Sequence, residues 1–430
     1  MALIVQKYGG TSVGSLERMR NVAQRALDTR AAGNQVVLIV SAMSGETNRL
    51  LGLAHQISDT PDRRELDALA ATGEQVSAAL VAMTVQKLGG QAQSLLGHQV
   101  RIHTDDAFTK ARILAIEGSN ILETVHSGKI AVVAGFQGVD AMGNITTLGR
   151  GGSDTTGVAV AAAIGADVCE IYTDVDGVYT TDPNVCPSAR KIDRISFEEM
   201  LELASLGAKV LQIRSVEVGM KYNVPIHVRS SFNGKPGTIV TGEEGLEAVT
   251  VAGVAYDKNE AKVQLIAVPD RPGAVAALFG ALSKENVSVD MIIQSPSGGD
   301  TATTDVTFTV PKTDLPRVKD LIEQQSRDIG AARVEYDSDL VKVSIVGLGM
   351  RSHAGVAAKM FSLLAAEGIN IRAISTSEIR ISCLIAAKYT ELAVRALHDG
   401  FGLSKAPPRG PEAPPAPSSP SNPSFPPPIG

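Results

Sequence analysis

Short apolar runs alternate with amphipathic stretches over residues 1–240. Leu3–Gln6, Val36–Val40, Ile130–Ala134, Cys169–Tyr172 and Ile226–Val228 are brief, continuous and rich in Val and Ile, the pattern of strands buried on both faces. Leu16–Thr29, Glu65–Leu88 and Glu198–Tyr222 carry apolar residues at helical spacing. This alternation predicts a mostly parallel sheet with helices on both faces. Ligands of such sheets gather beyond the carboxyl ends of the strands, where Lys7, Ser41, Gly135 and Asp174 fall. Residues 233–248 hold turn formers and charge and read as a domain junction.

Beyond the junction the pattern repeats. Aligning Pro272-Gly273 with Ala354-Gly355, an offset of 82, puts Phe279 on Phe361, Leu282 on Leu364, Glu285 on Glu367, Val289 on Ile371 and Ile292 on Ile374. Aromatic, aliphatic and charged positions all keep register, and each copy reads strand, glycine-containing turn, helix, strand. The last 25 residues, Ala406–Gly430, hold 11 of the 21 prolines and few large apolar side chains. That composition predicts a disordered, partly polyproline tail, whose Pro-x-x-Pro pieces are no more than composition makes common.

Composition narrows the class. A net charge of −6 and 4% aromatic residues argue against a nucleic-acid partner. The three cysteines, Cys169, Cys186 and Cys383, form no C-x-x-C and suggest reduced thiols rather than a disulfide framework. No apolar stretch of about 20 residues is evident, and the opening apolar run is too short for a signal peptide. A cytoplasmic protein with no membrane or nucleic-acid partner is expected, and the scattered histidines give no metal-ligand spacing.

Two glycine-containing turns carry the candidate chemistry. In Lys7-Tyr8-Gly9-Gly10-Thr11-Ser12, glycines after a strand let backbone N–H groups approach a phosphate, and Lys7 adds a cation that can follow a transferring phosphoryl group. Taken alone, a Gly-Gly turn after a strand is more often plain geometry, and the Lys two residues before it brings the two readings level. Arg150-Gly151-Gly152-Ser153-Asp154-Thr155-Thr156 precedes an Ala/Val-rich helix running to about Ile164. Arg150 can grip a carboxylate bidentately and Asp154 can hold an ammonium. Ser153 or Asp154 could instead cap the helix, but an Arg, two Gly and an Asp are more than capping needs. Thr173-Asp174-Val175-Asp176-Gly177 is not a calcium loop, since its glycine stands fourth and Val185 holds the twelfth place, where Glu belongs. Asp174 could orient a magnesium-bound water or a nucleotide phosphate, or simply belong to a turn. Alone, Lys209 reads as a solvated charge on a helix, Glu74 as a surface helix residue and Ser41 as a cap. No Walker A loop, protein-kinase motif set or hydrolase elbow is present.

Taken in order, Lys7–Ser12, Val40-Ser41-Ala42-Met43, Thr72-Gly73-Glu74, Gly135-Phe136-Gln137-Gly138, Thr147–Asp154, Tyr172–Tyr179 and Thr376–Ser382 resemble the motifs of the aspartate kinases of the amino acid kinase superfamily. The resemblance covers about residues 1–403. It implies an α/β fold: an amino acid kinase-like αβα sandwich over 1–245 with a mainly parallel central sheet, followed by two α+β ACT domains of βαββαβ, ferredoxin-like form. The first ACT domain would span 263–335 and be inserted in the second, built from 249–262 plus 336–403, leaving 404–430 as the tail.

The implied reaction transfers the ATP γ-phosphoryl group to the side-chain carboxylate of L-aspartate, with Mg²⁺ as cofactor. By resemblance Lys7 and Asp154 are catalytic. Lys7, Gly9, Gly10, Thr173, Asp174, Tyr179, Asp182 and Lys209 hold MgATP, and no metal is held by protein ligands alone. Ser41, Glu74, Arg150, Gly152, Ser153 and Asp154 hold the substrate, Arg150 on its α-carboxylate and Asp154 on its ammonium. Lysine, threonine or both are the implied inhibitors. One effector pocket would use Asp270, Gly273, Ala274, Ser288, Val289 and Gln294. The other would use Met350, Ser352, His353, Asn370, Ile371, Thr376, Ser377 and Glu378. A homodimer through the ACT domains is implied, with a tetramer as a further assembly. Two readings stay beside this one: the same scaffold with another acceptor, such as glutamate, acetylglutamate or a nucleoside monophosphate, and a non-catalytic amino-acid sensor. Arg150 with Asp154 favours a free amino acid.

Overall fold

The computed structural model describes residues 1–206, 210–242, 251–297, 303–350 and 354–405. Continuous β-branched runs build an eight-stranded sheet in the order Arg194–Ser196, Thr238–Thr241, Ile226–Ser230, Val168–Thr173, Leu3–Tyr8, Gln35–Val40, Ile130–Ala134, Ala92–Leu95. Every neighbouring pair from Ile226–Ser230 to Ala92–Leu95 is parallel. The period-two alternation of strands splits the core between two layers. Val5, Val37, Ile39 and Val133 pack under helices Gly152–Ala163, Phe197–Ser205 and Ile213–Tyr222. Tyr8, Leu38, Val40 and Val132 pack under Leu16–Ala31 and Thr72–Lys87. The result is the αβα sandwich expected.

Four readings of the sequence need correction. The first strand continues to Tyr8, so Lys7 projects from within it rather than from beyond its end. Glu65–Leu88 is two helices, Arg63–Ala70 and Thr72–Lys87, broken at Ala71. Glu198–Tyr222 is also two helices, and Lys209, expected on a helix, lies between them and outside the described residues. The supposed junction at 233–248 contains the sheet strand Thr238–Thr241. A small separate sheet of Ile113–Ile116, Ile102–Thr104, Gln137–Val139 and Ile145–Thr147 escaped notice because its strands are too short for a periodicity signal. The helical run Arg63–Lys87 is long and apolar enough to cross a membrane by length and composition, contrary to expectation, but half of its apolar window is buried in the fold.

Two further sheets share one strand order. In the first, Asp290–Pro296, Thr303–Pro311, Glu260–Pro269 and Arg333–Asp337 follow one another. In the second, Ile371–Thr376, Arg380–Ala386 and Leu340–Gly347 take the first three places. The fourth, filled by Arg333–Asp337 in the first sheet, goes to Val251–Asp257, which precedes both copies in the chain and pairs antiparallel with Leu340–Gly347. Each sheet buries its own apolar cluster under two helices.

A buried charge cluster joins the two sheets. The Lys342 ammonium, only 3% exposed as a residue, contacts the buried Glu260 carboxylate and lies 2.6 Å from Asp290. Removing one partner of a buried ion pair strands the other charge. Lys342→Met is therefore expected to destabilise the paired sheets by about 3–5 kcal/mol, with Lys342→Met/Glu260→Leu recovering much of that loss. Denaturant titration of the three proteins checks this.

Candidate active site

The carboxyl ends of the parallel strands form one edge. Tyr8 is level with Val40 and Tyr172, Val40 with Ala134, and Thr173 with Ser230. The Ser41 amide donates to the Tyr8 carbonyl and the Gly135 amide to Val40. Above this edge lies the start of helix Gly152–Ala163. Gly157 lets it settle on the strand below, because a side chain there would press on the Lys7 stem at 3.2 Å.

That approach brings Lys7 and Asp154 together. Lys7 is 8% exposed, and its ammonium lies 2.5 Å from an Asp154 carboxylate oxygen. The contact is Coulombic rather than a well-directed hydrogen bond, since that oxygen has no partner of good angle. Neither Ser153 nor Asp154 caps the helix. The N-cap is Gly151, in the left-handed region at φ 73°, where a side chain would run into Gln212.

A cavity of about 580 Å³ collects Lys7, Gly10, Ser41, Glu74, Arg150, Gly152, Ser153 and Asp154. Arg150 stands exposed at its rim, and its guanidinium makes no ion pair among the described residues. Glu74, read alone as a surface residue, is 3% exposed. One of its oxygens accepts the Ala42 amide at 2.9 Å, and the other is buried without a partner. Burial raises its pKa to about 7. The Gly10 backbone packs against Ala42 and Ser44, with no room for a side chain. The Gly9 amide, expected to face a phosphate, instead donates to the Tyr172 carbonyl at 3.3 Å.

A second cavity, of about 770 Å³, is lined by Asp174, Asp176, Tyr179 and Asp182 among others. The Thr173 hydroxyl donates to Asp174 at 3.0 Å, and Tyr179 donates to Asp176 at 2.8 Å. Among the described residues no three acidic, His or Cys side chains cluster as a metal site.

The other candidates sit on the paired sheets. Asp270 is exposed in the turn after Glu260–Pro269, Gly273 caps helix Ala274–Lys284 at φ 96°, and Ala274 is buried. Ser288 and Val289 precede strand Asp290–Pro296, on which the Gln294 amide reaches Thr304 at 3.2 Å. In the second copy Met350 is buried, Asn370 is exposed, and Ile371 and Thr376 bound one strand. Ser377 and Glu378 form the turn to the next. Ser352 and His353 lie outside the described residues.

The sequence reading missed what holds the Arg150 turn. Asp67 is fully buried and accepts hydrogen bonds from the Thr109 amide and from both the amide and hydroxyl of Thr147. Arg214 donates to the Leu148 carbonyl, and Gln212 to that of Arg150. Phe136, which also lines the first cavity, takes φ 70°, an uncommon conformation for a side-chain-bearing residue.

A charged amino-acid-sized cavity and a second, acidic one, set along the carboxyl edge of a parallel sheet and joined to paired ferredoxin-like sheets, define a small-molecule kinase. The amino acid kinase family model matches residues 2–230, and ACT domain models match 264–328 and 343–401. The aspartokinase of Pseudomonas aeruginosa is 57% identical over 412 residues, 95% of this chain and 99% of that one. That of Mycolicibacterium smegmatis is 50% identical over 94% of this chain and 97% of its own. Escherichia coli aspartokinase III, solved with aspartate and ADP in an R-state, superimposes with a TM-score of 0.77 at 28% identity, over 93% of this chain and 99% of that one. The same enzyme with lysine and aspartate, in a T-state, gives 0.75 at 27% identity, with the same coverage. This chain belongs to the aspartokinases of the amino acid kinase family, and is thus a phosphotransferase.

In Asp67→Asn one of the two acceptor oxygens becomes an NH2 donor, so either the Thr109 and Thr147 amides or the Thr147 hydroxyl meet a donor where they had an acceptor. Asp67→Asn is expected to cost about 2–3 kcal/mol of stability, with Thr147→Val costing about 1 kcal/mol. Denaturant melts of the two variants check the order.

Proposed function

We propose that this chain transfers the γ-phosphoryl group of MgATP to the side-chain carboxylate of L-aspartate, giving 4-phospho-L-aspartate, and that lysine, threonine or both inhibit it through the ACT domains. The observation that carries the reading is the first cavity, where opposite charges for both ends of an amino acid surround Lys7. Arg150 takes the α-carboxylate. Asp154 is already paired with Lys7, so the unpartnered oxygen of Glu74 is the better acceptor for the ammonium, and Ser41 and the Gly152-Ser153 turn close the pocket. The 1–245 unit is catalytic, 263–335 is the first ACT domain, and 249–262 with 336–403 form the second.

The attacking group is already a carboxylate, so no strong base is needed. Positioning and charge neutralisation supply the acceleration. Asp154 fixes the Lys7 ammonium where charge on the transferring phosphoryl group develops, at no cost of reorganisation during the step. Asp174, exposed in the second cavity, suits a cation held mainly by nucleotide phosphates, as Mg²⁺ usually is. The nucleotide lies along Thr173, Asp174, Tyr179 and Asp182, with Lys209, outside the described residues, added on the resemblance alone. The ADP in aspartokinase III supports ATP as donor, and the lysine in its T-state supports lysine as an inhibitor. The product is an activated acid suited to later reduction toward lysine, threonine and methionine, in the cytoplasm. Ile292 and Ile374, equivalent in the two copies and exposed on edge strands, suit a homodimer through the ACT domains.

Trapping the acyl phosphate with hydroxylamine tests the reading. Coloured hydroxamate is expected with aspartate and MgATP, and less of it with added lysine or threonine. Turnover with glutamate alone would sink the substrate, and indifference to both amino acids would sink the regulation.

Glu74 gives a pH signature. A proton competes with the substrate ammonium for its carboxylate, so the aspartate KM is expected to rise as pH falls through about 7. Glu74→Gln removes that inflection. In the fold, the raised pKa means the native state keeps a proton that the unfolded chain has released. The contribution of Glu74 to stability therefore falls as pH climbs from about 4.5 to 7. The Gln variant should melt above wild type at pH 8 while binding aspartate worse.

A further inference from the structure

The second cavity is not made by the catalytic unit alone. One wall is residues 174–184, and another is Val254–Asn259, from the outer strand of the second ACT sheet and the turn after it. The two walls are bonded directly. The Val254 amide donates to the Thr180 carbonyl at 2.7 Å, and Gly253 passes so close that a side chain would lie 2.8 Å from that oxygen. The Tyr256 hydroxyl donates to an Asp182 oxygen at 3.0 Å, while the other Asp182 oxygen accepts the Asn184 amide. The last helix of the same module adds two ties. Arg395 donates to the Val185 carbonyl at 2.7 Å, and the buried His398 ring lies 2.9 Å from the Thr180 hydroxyl. Burial and the neighbouring Asp182 raise the Tyr256 pKa to about 12, so the hydroxyl remains a donor at any working pH.

We infer that Tyr256 is a positioning residue for the nucleotide: through its hydroxyl, the second ACT sheet fixes Asp182 and the 180–185 wall of the ATP pocket. The inference rests on the reading of this cavity as the nucleotide site. The ring fills its wall whatever the hydroxyl does, so Tyr256→Phe removes one charged hydrogen bond and little else. Nucleotide affinity should feel that loss and the remote amino-acid pocket should not.

The test uses the full chain and calorimetric titration with MgADP, followed by steady-state kinetics. Tyr256→Phe is expected to weaken MgADP binding and raise the MgATP KM by about tenfold, the loss expected for one hydrogen bond to a charged group. The aspartate KM should stay where it is in wild type. Arg395→Ala, which cuts a separate tie to the same wall, should shift MgADP affinity in the same direction. Unchanged MgADP affinity in Tyr256→Phe, or equal shifts in both substrates' KM, overturns the inference while leaving the nucleotide reading intact. Failure of wild type itself to bind MgADP overturns both.

Discussion

The catalytic half is organised around one contact, the Lys7 ammonium against the Asp154 carboxylate at 2.5 Å. Taking two charges out of water is costly, and only close, fixed geometry offsets it. Several features of the chain serve that geometry. Lys7 sits in a central strand whose neighbours on both sides are parallel. Gly157 lets the helix lie against the lysine stem. Gly151 begins the helix with a left-handed turn, so that Asp154 falls in the first helical turn, where the helix dipole favours a negative charge. A pair so held is preorganised for charge developing beside it, which side chains on a mobile loop would not be.

Much of this was legible because the signals are local. Uninterrupted Val/Ile runs marked the central strands to within a residue or two, and the substrate candidates fell together because strand ends of a parallel sheet must share an edge. What was not legible depends on contacts distant in sequence. Asp67 reaches Thr147 across 80 residues, and Gln212 reaches Arg150 across 62. No window of periodicity contains either pair. Ala71 carries no breaker signal, so one helix was read where two meet. Glu74 looked exposed because burial depends on what packs over a helix, and Gly73 beside it fits tightly beneath the Ala42 side chain.

The order of strands explains which ACT sheet touches the catalytic unit. Thr238–Thr241 is the last strand of the main sheet in chain order, and Val251–Asp257, the outer strand of the second ACT sheet, follows after nine residues. That strand lies beside the catalytic unit, bonded to it from the Val254 amide to the Thr180 carbonyl. The insertion of the first module between Val251–Asp257 and Leu340–Gly347 then places the other copy further out. Its cluster of buried apolar residues includes none from the catalytic unit, whereas Ala255 and Val346 of the second copy belong to the catalytic core cluster.

Coupling between effector and catalyst needs an element that both bias. Within one chain the described ties run in series. Lys342 joins the two ACT sheets through Glu260 and Asp290. Arg380, on the strand beside Lys342, reaches Glu202 of helix Phe197–Ser205 at 3.0 Å. Residues 251–257 lie on the other side of that same strand, against the 180–185 wall. Leu340–Gly347 makes the first of these contacts and is hydrogen-bonded to the two strands that make the others, and it is buried along its whole length. A rigid, fully buried strand cannot bend to absorb a change at one end. A shift at the module junction must move it as a unit, and with it the 180–185 wall of the second cavity and the Glu202 helix. If the second cavity holds the nucleotide as proposed, a change in its affinity, rather than a blockage of the first cavity, is the physically direct output of the ACT sheets.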